Sequence, residues 1–316
     1  MVIYPMLSSD ELGRKGEAHF RLVCADVGLI CNPSTEDRRG WDFIVEFPFD
    51  LNAGNVSLDK RLTPISSHIQ VKTIYSRNDR VRLRLTAAEW LAKETKPSFI
   101  YVLKIDPESL EPTGAWLIHI FDDAMAKILQ RLRKAQADGI SKVNHIYVSF
   151  SASREGIPIS PTGPGLKIAL KELCGLQQRQ YVDAKAIQIE RLGFELRPFS
   201  FEFLLENLSE SDLADVFLGR TRVAVSSIKM AETRFGIKLP LGDGNAKDGF
   251  VEIRPEAADK CKILVRRGGK LETIATFEGE VFVPSLPRLR KENFKFIIKN
   301  KFFEFLLGII PLTQVN

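Results

Sequence analysis

The sequence predicts a mixed α/β domain over residues 1–152, followed by a second, strand-rich α+β domain over residues 166–316. Three observations carry that expectation. Apolar residues recur at helical spacing early in the chain and again around residues 122–139, with strand-length apolar or alternating runs between them. A Pro- and Gly-rich stretch, Ser153 to Gly165, then interrupts the pattern. Beyond it the chain starts helical and turns to strands. A chain of 316 residues has room for two domains of roughly 150 residues each.

The elements follow in order. In SSDELGRKGEAHFRLVCADVG, Ser8 with Glu11 three residues on forms a capping-box signature. Leu12, Gly16, Phe20, Val23 and Val27 share one helical face, and Gly28 is the expected stop. A polar loop, NPSTEDRRG, leads to the strand WDFIVEF. A long loop or hairpin then reaches SSHIQVKTIY, where Ser66, Ser67 and His68 read as loop and Ile69, Val71 and Ile74 as strand. RVRLRL alternates strictly and reads as a strand with arginines on one face. TAAEWLAKETK opens a helix with a second capping-box signature, Thr86 and Glu89. Two strands (SFIYVLKID, GAWLIHI), an amphipathic helix ended by Gly139, and the strand VNHIYVSF complete an order α-β-β-β-α-β-β-α-β. In the second half, LKIALKELCG and a segment near SFEFLLENLSESDLADVF read as helices. Three strand-rich stretches follow, with a hairpin turn expected at Arg267-Gly268-Gly269-Lys270.

Composition narrows the class. Hydrophobic residues at 44% and charged residues at 27% describe a folded globular chain rather than a disordered one. No apolar run is long enough to span a bilayer, and MVIYPMLSSDE lacks the basic start and apolar stretch of a signal peptide. Four scattered cysteines (Cys24, Cys31, Cys174, Cys261) without a C-x-x-C pair read as reduced thiols of a cytoplasmic protein. Zinc-finger spacing, H-E-x-x-H, the phosphate-binding G-x-x-x-x-G-K-[ST] and G-x-S-x-G are all missing from the sequence. A net charge of +5 permits a phosphate-rich partner without requiring one.

Chemistry concentrates in SSHIQVKTIY. Gln70 and Lys72 lie two residues apart, so both point to one side of an otherwise apolar strand. An amide oxygen and an ammonium on one strand face suit hydrolysis assisted by a divalent cation, which takes oxygen ligands beside a cationic group that orients water. Asp42 opens the preceding strand and supplies the acid; the Val71 carbonyl adds an oxygen; Glu17 sits at the edge of the apolar arc of the first helix. The long stretch between Asp42 and Gln70 keeps other acids in play, namely Glu46 on the same strand face and Asp50 and Asp59 in the insert. Arg80, Arg82 and Arg84, with Arg39 just before Asp42, are the residues expected to meet phosphates. Each of these also has a plain structural reading. Glu17 flanks a core stripe, Asp42 caps a turn, Gln70 and Lys72 line a half-exposed strand face, and the arginines form a solvated one. Trp41 is either a base-stacking platform or core.

Taken together, GEAHF, GWDFIVEF and HIQVKT resemble the PD-(D/E)XK nuclease superfamily, closest to its Mrr-like branch in which Gln replaces the second acid. The resemblance covers about residues 8–150 and includes the α-β-β-β-α-β order. It implies a restriction-endonuclease-like mixed sheet flanked by helices. It also implies an endonuclease that hydrolyses DNA phosphodiester bonds with Mg2+, or Mn2+ in its place, in bacterial restriction or anti-phage defence. In that scheme Asp42, Gln70 and the Val71 carbonyl hold the metal, Glu17 assists directly or through a water, and Lys72 orients the attacking water. The bare [D/E/Q]-x-K pattern recurs at Glu94-Thr95-Lys96 and Asp183-Ala184-Lys185, but only Gln70-Val71-Lys72 lies on an alternating strand. The alternative is a catalytically inactive nuclease-fold module that binds nucleic acid or a protein partner. Residues 166–316 would supply recognition, sensing or a homo-oligomer contact.

Overall fold

The computed structural model describes residues 7–34, 40–49, 57–61, 63–175, 178–204, 208–225, 227–244, 249–266, 273–284 and 295–308. Arg39, Asp50 and the turn expected at 267–270 lie outside them. The protein is a mixed α/β chain that divides into two compact units. The first runs to Pro198 and includes Thr233–Leu239; the second holds the rest. The division therefore falls well after the Pro- and Gly-rich stretch at residues 153–165.

The first unit opens with α1 (Ser9–Ala25), whose N-terminus closes the expected capping box: Glu11 N–H donates to Ser8 Oγ and the Ser8 N–H donates to the Glu11 carboxylate. There follow β1 (Ile30–Pro33), β2 (Phe43–Glu46), β3 (Ser66–Tyr75), β4 (Arg80–Arg84), α2 (Leu85–Lys93), β5 (Ser98–Ile105), β6 (Pro112–His119) and α3 (Asp122–Ala137). After them come β7 (Tyr147–Ser151), α4 (Ala152–Glu155), β8 (Ile157–Ile159), α5 (Gly163–Cys174) and α6 (Gln178–Arg191). Six strands make one mixed sheet in the order β1-β2-β3-β5-β6-β8. Only β3 and β5 run parallel, and their crossover carries β4 and α2. β4 leaves this sheet and pairs antiparallel with β7 in a separate two-stranded ribbon.

Alternation along β3 and β5 sorts two cores onto the two faces of the sheet. Ile69, Val71, Phe99, Tyr101 and Leu103 meet Phe20 and Val23 of α1 and Leu166 and Leu170 of α5. Ile100 and Val102 meet Leu91 of α2, Met125 and Ile128 of α3, and Val81, Leu83 and Phe150 of the ribbon. A parallel pair covered on both faces explains why SFIYVLKI is a continuous apolar run.

Several expectations are corrected. Ser66, Ser67 and His68 are buried strand, not loop, because they pair with Glu46, Val45 and Ile44 of β2. Ile30–Pro33, where the polar loop was expected to begin, forms the edge strand β1. Thr86 and Glu89 form no capping box: α2 begins at Leu85 behind Arg84, with no side-chain cap. The helix expected near residues 200–217 splits into β9 (Phe199–Leu204) and α7 (Glu210–Phe217), the latter with its own Ser209–Asp212 capping box.

The second unit continues with β10 (Val223–Val225), β11 (Ser227–Arg234), β12 (Ile237–Gly244), β13 (Gly249–Val251), β14 (Asp259–Arg266), β15 (Thr273–Phe282), β16 (Lys295–Lys299) and β17 (Glu304–Gly308). These strands form the sheets β10-β13, β12-β11-β9 and β14-β15-β16-β17, with antiparallel pairing throughout the described register of the last. No described helix is long and apolar enough to cross a membrane, and all four cysteines are free.

Candidate active site

The site arises where two neighbouring strands part. β2 pairs with β3 only as far as Phe43 opposite Ile69, and the Asp42 N–H still donates to the Ile69 carbonyl at 2.9 Å. β3 then runs on to Tyr75 with β5 on its other side. The first backbone donor of β3 beyond β2 belongs to Val71, and the Asp42 carboxylate takes it: Val71 N–H donates to Oδ2 at 2.7 Å. The same oxygen accepts from Gln70 Nε2 at 2.5 Å. Thus a side chain replaces the strand partner that β3 loses, and a carboxylate is fixed at the notch.

Two glycines let the flanking helices close on this notch. Gly16 of α1 lies against Thr73, where any Cβ would collide with the Thr73 hydroxyl. Gly40, at φ +77°, passes against the backbone of Ala87 in the first turn of α2, leaving no room for a side chain. Between them opens a cleft of about 690 Å3, into which Glu17, Asp42, Gln70 and Lys72 all project. Helix α1 adds Arg14, one turn before Glu17, and the exposed face of β4 adds Arg82 and Arg84.

The structure therefore brings Glu17, Asp42, Gln70, Lys72, Arg82 and Arg84 into one cleft, with the Val71 backbone beside them. Arg80, two positions along β4, lines a neighbouring cleft instead. Glu46 is turned elsewhere and accepts a hydrogen bond from Ser66, while Asp59 is exposed on a single 3-10 turn. Trp41 is core: it is buried and packs on His68 with ring centroids 4.1 Å apart. Sequence reasoning missed Arg14, although its position three residues before Glu17 places both on one helix face. It also missed Tyr147, whose ring carries the Arg82 guanidinium 4.7 Å above it. Tyr147 reaches the cleft only through the register of β7 on β4, where it lies opposite Arg84.

Burial pushes the Asp42 carboxyl up to about 6, and the nearby Glu17 carboxylate adds to that rise. The Val71 N–H, the Lys72 ammonium and the Gln70 amide pull the other way without offsetting it. A buried acid beside a second acid is a pair that gains from a cation between them. Among the described residues there is no group of three or more His, Cys, Asp or Glu side chains arranged to hold a metal. The oxygen donors here are instead mixed: two carboxylates, one amide and one backbone carbonyl. Gln70 Nε2 stands within reach of both Asp42 Oδ2 and the Val71 carbonyl, at 2.5 and 3.5 Å. A half-turn of that amide exchanges its nitrogen for its oxygen. This donor set fits a hard divalent cation such as Mg2+ rather than a soft one. No family model, curated protein or solved structure matches the chain.

Proposed function

We propose that the first unit is a restriction-endonuclease-like domain and that the protein is a metal-dependent nuclease acting on DNA. The observation that carries this reading is the convergence of Glu17, Asp42, Gln70 and Lys72 from α1, β2 and β3 in one cleft rimmed by arginines. The order α1-β1-β2-β3-α2-β5, with the first three strands antiparallel and β5 parallel to β3, supports the fold assignment.

In this reading Asp42, Gln70, the Val71 carbonyl and Glu17 hold Mg2+ or Mn2+. Such an ion supplies Lewis-acid polarisation of a phosphoryl oxygen and a more acidic water. The chain's own groups do the rest. Lys72 holds the attacking water in line with phosphorus and balances the charge that builds on the phosphoryl oxygens. Glu17 accepts a proton from that water, directly or through a second one. Arg14, Arg82 and Arg84 fix the flanking phosphates, which positions the backbone without reading sequence.

The test is nicking of supercoiled plasmid by purified protein with Mg2+, with Mn2+ and with EDTA. Metal-dependent nicking is expected, lost by a hundredfold or more in Lys72→Ala and in Asp42→Ala. Full cleavage by Lys72→Ala overturns the assignment. One observation favours a second reading, an inactive nuclease-fold module that binds nucleic acid or protein: Asp42 Oδ2 already receives two hydrogen bonds from the chain itself. Calorimetric Mn2+ titration separates the two, since the module has no need of an ion that Asp42→Ala abolishes.

A further inference from the structure

The cleft does not end at Arg82. On the far side of Tyr147 a second cleft of about 860 Å3 opens between the β4–β7 ribbon and α3. Tyr147 lines both, and Arg80, Arg82 and Arg84 run across the exposed face of β4 from one to the other. Along a strand, residues two apart are roughly 6.6 Å apart, a step similar to that between successive phosphates of an extended nucleic-acid strand.

The acids of this second cleft are already engaged. Asp79 takes the Lys104 ammonium, the hydroxyls of Ser151 and Ser153 and the Ser153 N–H, which together hold its carboxyl well below the usual carboxylate range. Glu155 takes the Lys127 ammonium and the Ser151 N–H. Four cations remain with no carboxylate partner among the described residues: Arg80, Arg131, Lys134 and Arg154, all exposed. Arg131 and Lys134 come from one face of α3, three residues apart. Beside them Tyr147, 39% exposed, offers a ring edge and hydroxyl next to the Arg82 guanidinium.

We infer that this second cleft is a phosphate-binding track for the strand that enters the catalytic cleft, carried by Arg80, Arg131, Lys134 and Arg154, with Tyr147 as the step between the two. The inference rests on the nuclease reading for the direction of the strand but not for the existence of the track. The partner is a DNA strand held through its phosphodiester backbone. The contact is sequence-independent and long enough to span both clefts, so affinity should depend on oligonucleotide length and on salt.

The test is fluorescence anisotropy in EDTA, where no metal-dependent cutting intervenes. It compares the full chain with Arg131→Ala/Lys134→Ala and with Arg154→Ala, all at exposed positions. Probes are single-stranded DNA of three and of twelve nucleotides, and a twelve-nucleotide RNA. The double variant should bind the DNA 12-mer about tenfold more weakly and show a salt slope lower by about two, as expected for two lost phosphate contacts. The trinucleotide, which fits the catalytic cleft alone, should bind all proteins alike. Equal affinity and equal slope for wild type and variants on the 12-mer overturn the track, as does a wild type that binds no DNA. RNA bound as variant-sensitively as DNA retains the track and removes the sugar preference; RNA bound alone overturns it as written. Plasmid nicking measured in parallel keeps the readings apart. Nicking with an insensitive 12-mer sinks only the track, and variant-sensitive binding without nicking sinks only the nuclease.

Discussion

Asp42 is the residue on which local structure and chemistry meet. It caps the Val71 N–H that β3 would otherwise leave unpaired, and it does so as a buried carboxyl raised to about 6. The linkage has a definite sign. Between about pH 4 and pH 6 the folded chain keeps a proton that the unfolded chain has released, so this group makes stability fall as pH rises through that window. Above it the penalty is fully present, at most roughly 3 kcal/mol. Asp42→Asn, a neutral mimic, should therefore match the wild type near pH 4 and exceed it above pH 6.5. Urea melts in EDTA at half-unit pH steps would measure the gap, and two curves that stay parallel would refute the burial argument. Much of this site is legible in the sequence, because strand alternation alone puts Gln70 and Lys72 on one face and an acid before a strand marks its end. What was not legible is contact across the fold: Tyr147 joins the cleft through pairing between strands more than sixty residues apart, which no local pattern encodes.

At the scale of elements, the cleft depends on how closely α1 approaches β3. Gly16 sets that distance, since a methyl group there would meet the Thr73 hydroxyl and lie near Val71. Gly16→Ala should push α1 outward, cost about 1–3 kcal/mol, and move the adjacent Glu17 away from Asp42. Gly13, one turn earlier, has open space around its would-be Cβ. Gly13→Ala should therefore add about 0.5–1 kcal/mol through helix propensity alone. Opposite signs in thermal melts, with Thr73→Ala restoring part of the Gly16→Ala loss, would establish the packing argument. Equal effects of the two alanines would sink it. Long periodic elements such as α1, α3 and β5 could be read directly from residue spacing. β1 could not: Ile30–Pro33 is four residues long, mostly exposed, and lies at the sheet edge, where a proline is tolerated. RVRLRL was legible as a strand, but not its departure from the central sheet, which follows from Val81 and Leu83 turning inward against α2, α3 and Phe150.

For the whole molecule, composition marks a boundary at residues 153–165, but packing does not respect it. Helix α5 covers the same core as α1 through Leu166, Leu170 and Cys174. From α6, the buried Lys185 ammonium donates to the Leu91 and Lys96 carbonyls and the Ser98 hydroxyl, while the Tyr181 hydroxyl meets His119 Nε2 at 2.6 Å. The unit is also discontinuous. Arg234, from the Thr233–Leu239 segment, donates to the Ile189 and Leu192 carbonyls at the end of α6, and Phe235 packs on the core beside α2 and α3. Three chains should accordingly behave differently. Residues 1–152 lack the α5 cover over Phe20 and Tyr101 and should show no cooperative unfolding. Residues 1–198 should fold, yet melt roughly 5–10 °C below the full chain's corresponding transition. That shift follows because two charge-assisted hydrogen bonds of about 1.5–3 kcal/mol each are lost, at 2–4 °C per kcal/mol for a unit of this size. Arg234→Ala in the full chain should reproduce most of that drop. Near-UV circular dichroism during heating would follow all three. If residues 1–152 melt as cooperatively as 1–198, the change in composition is the true boundary and the later helices are accessory to the fold.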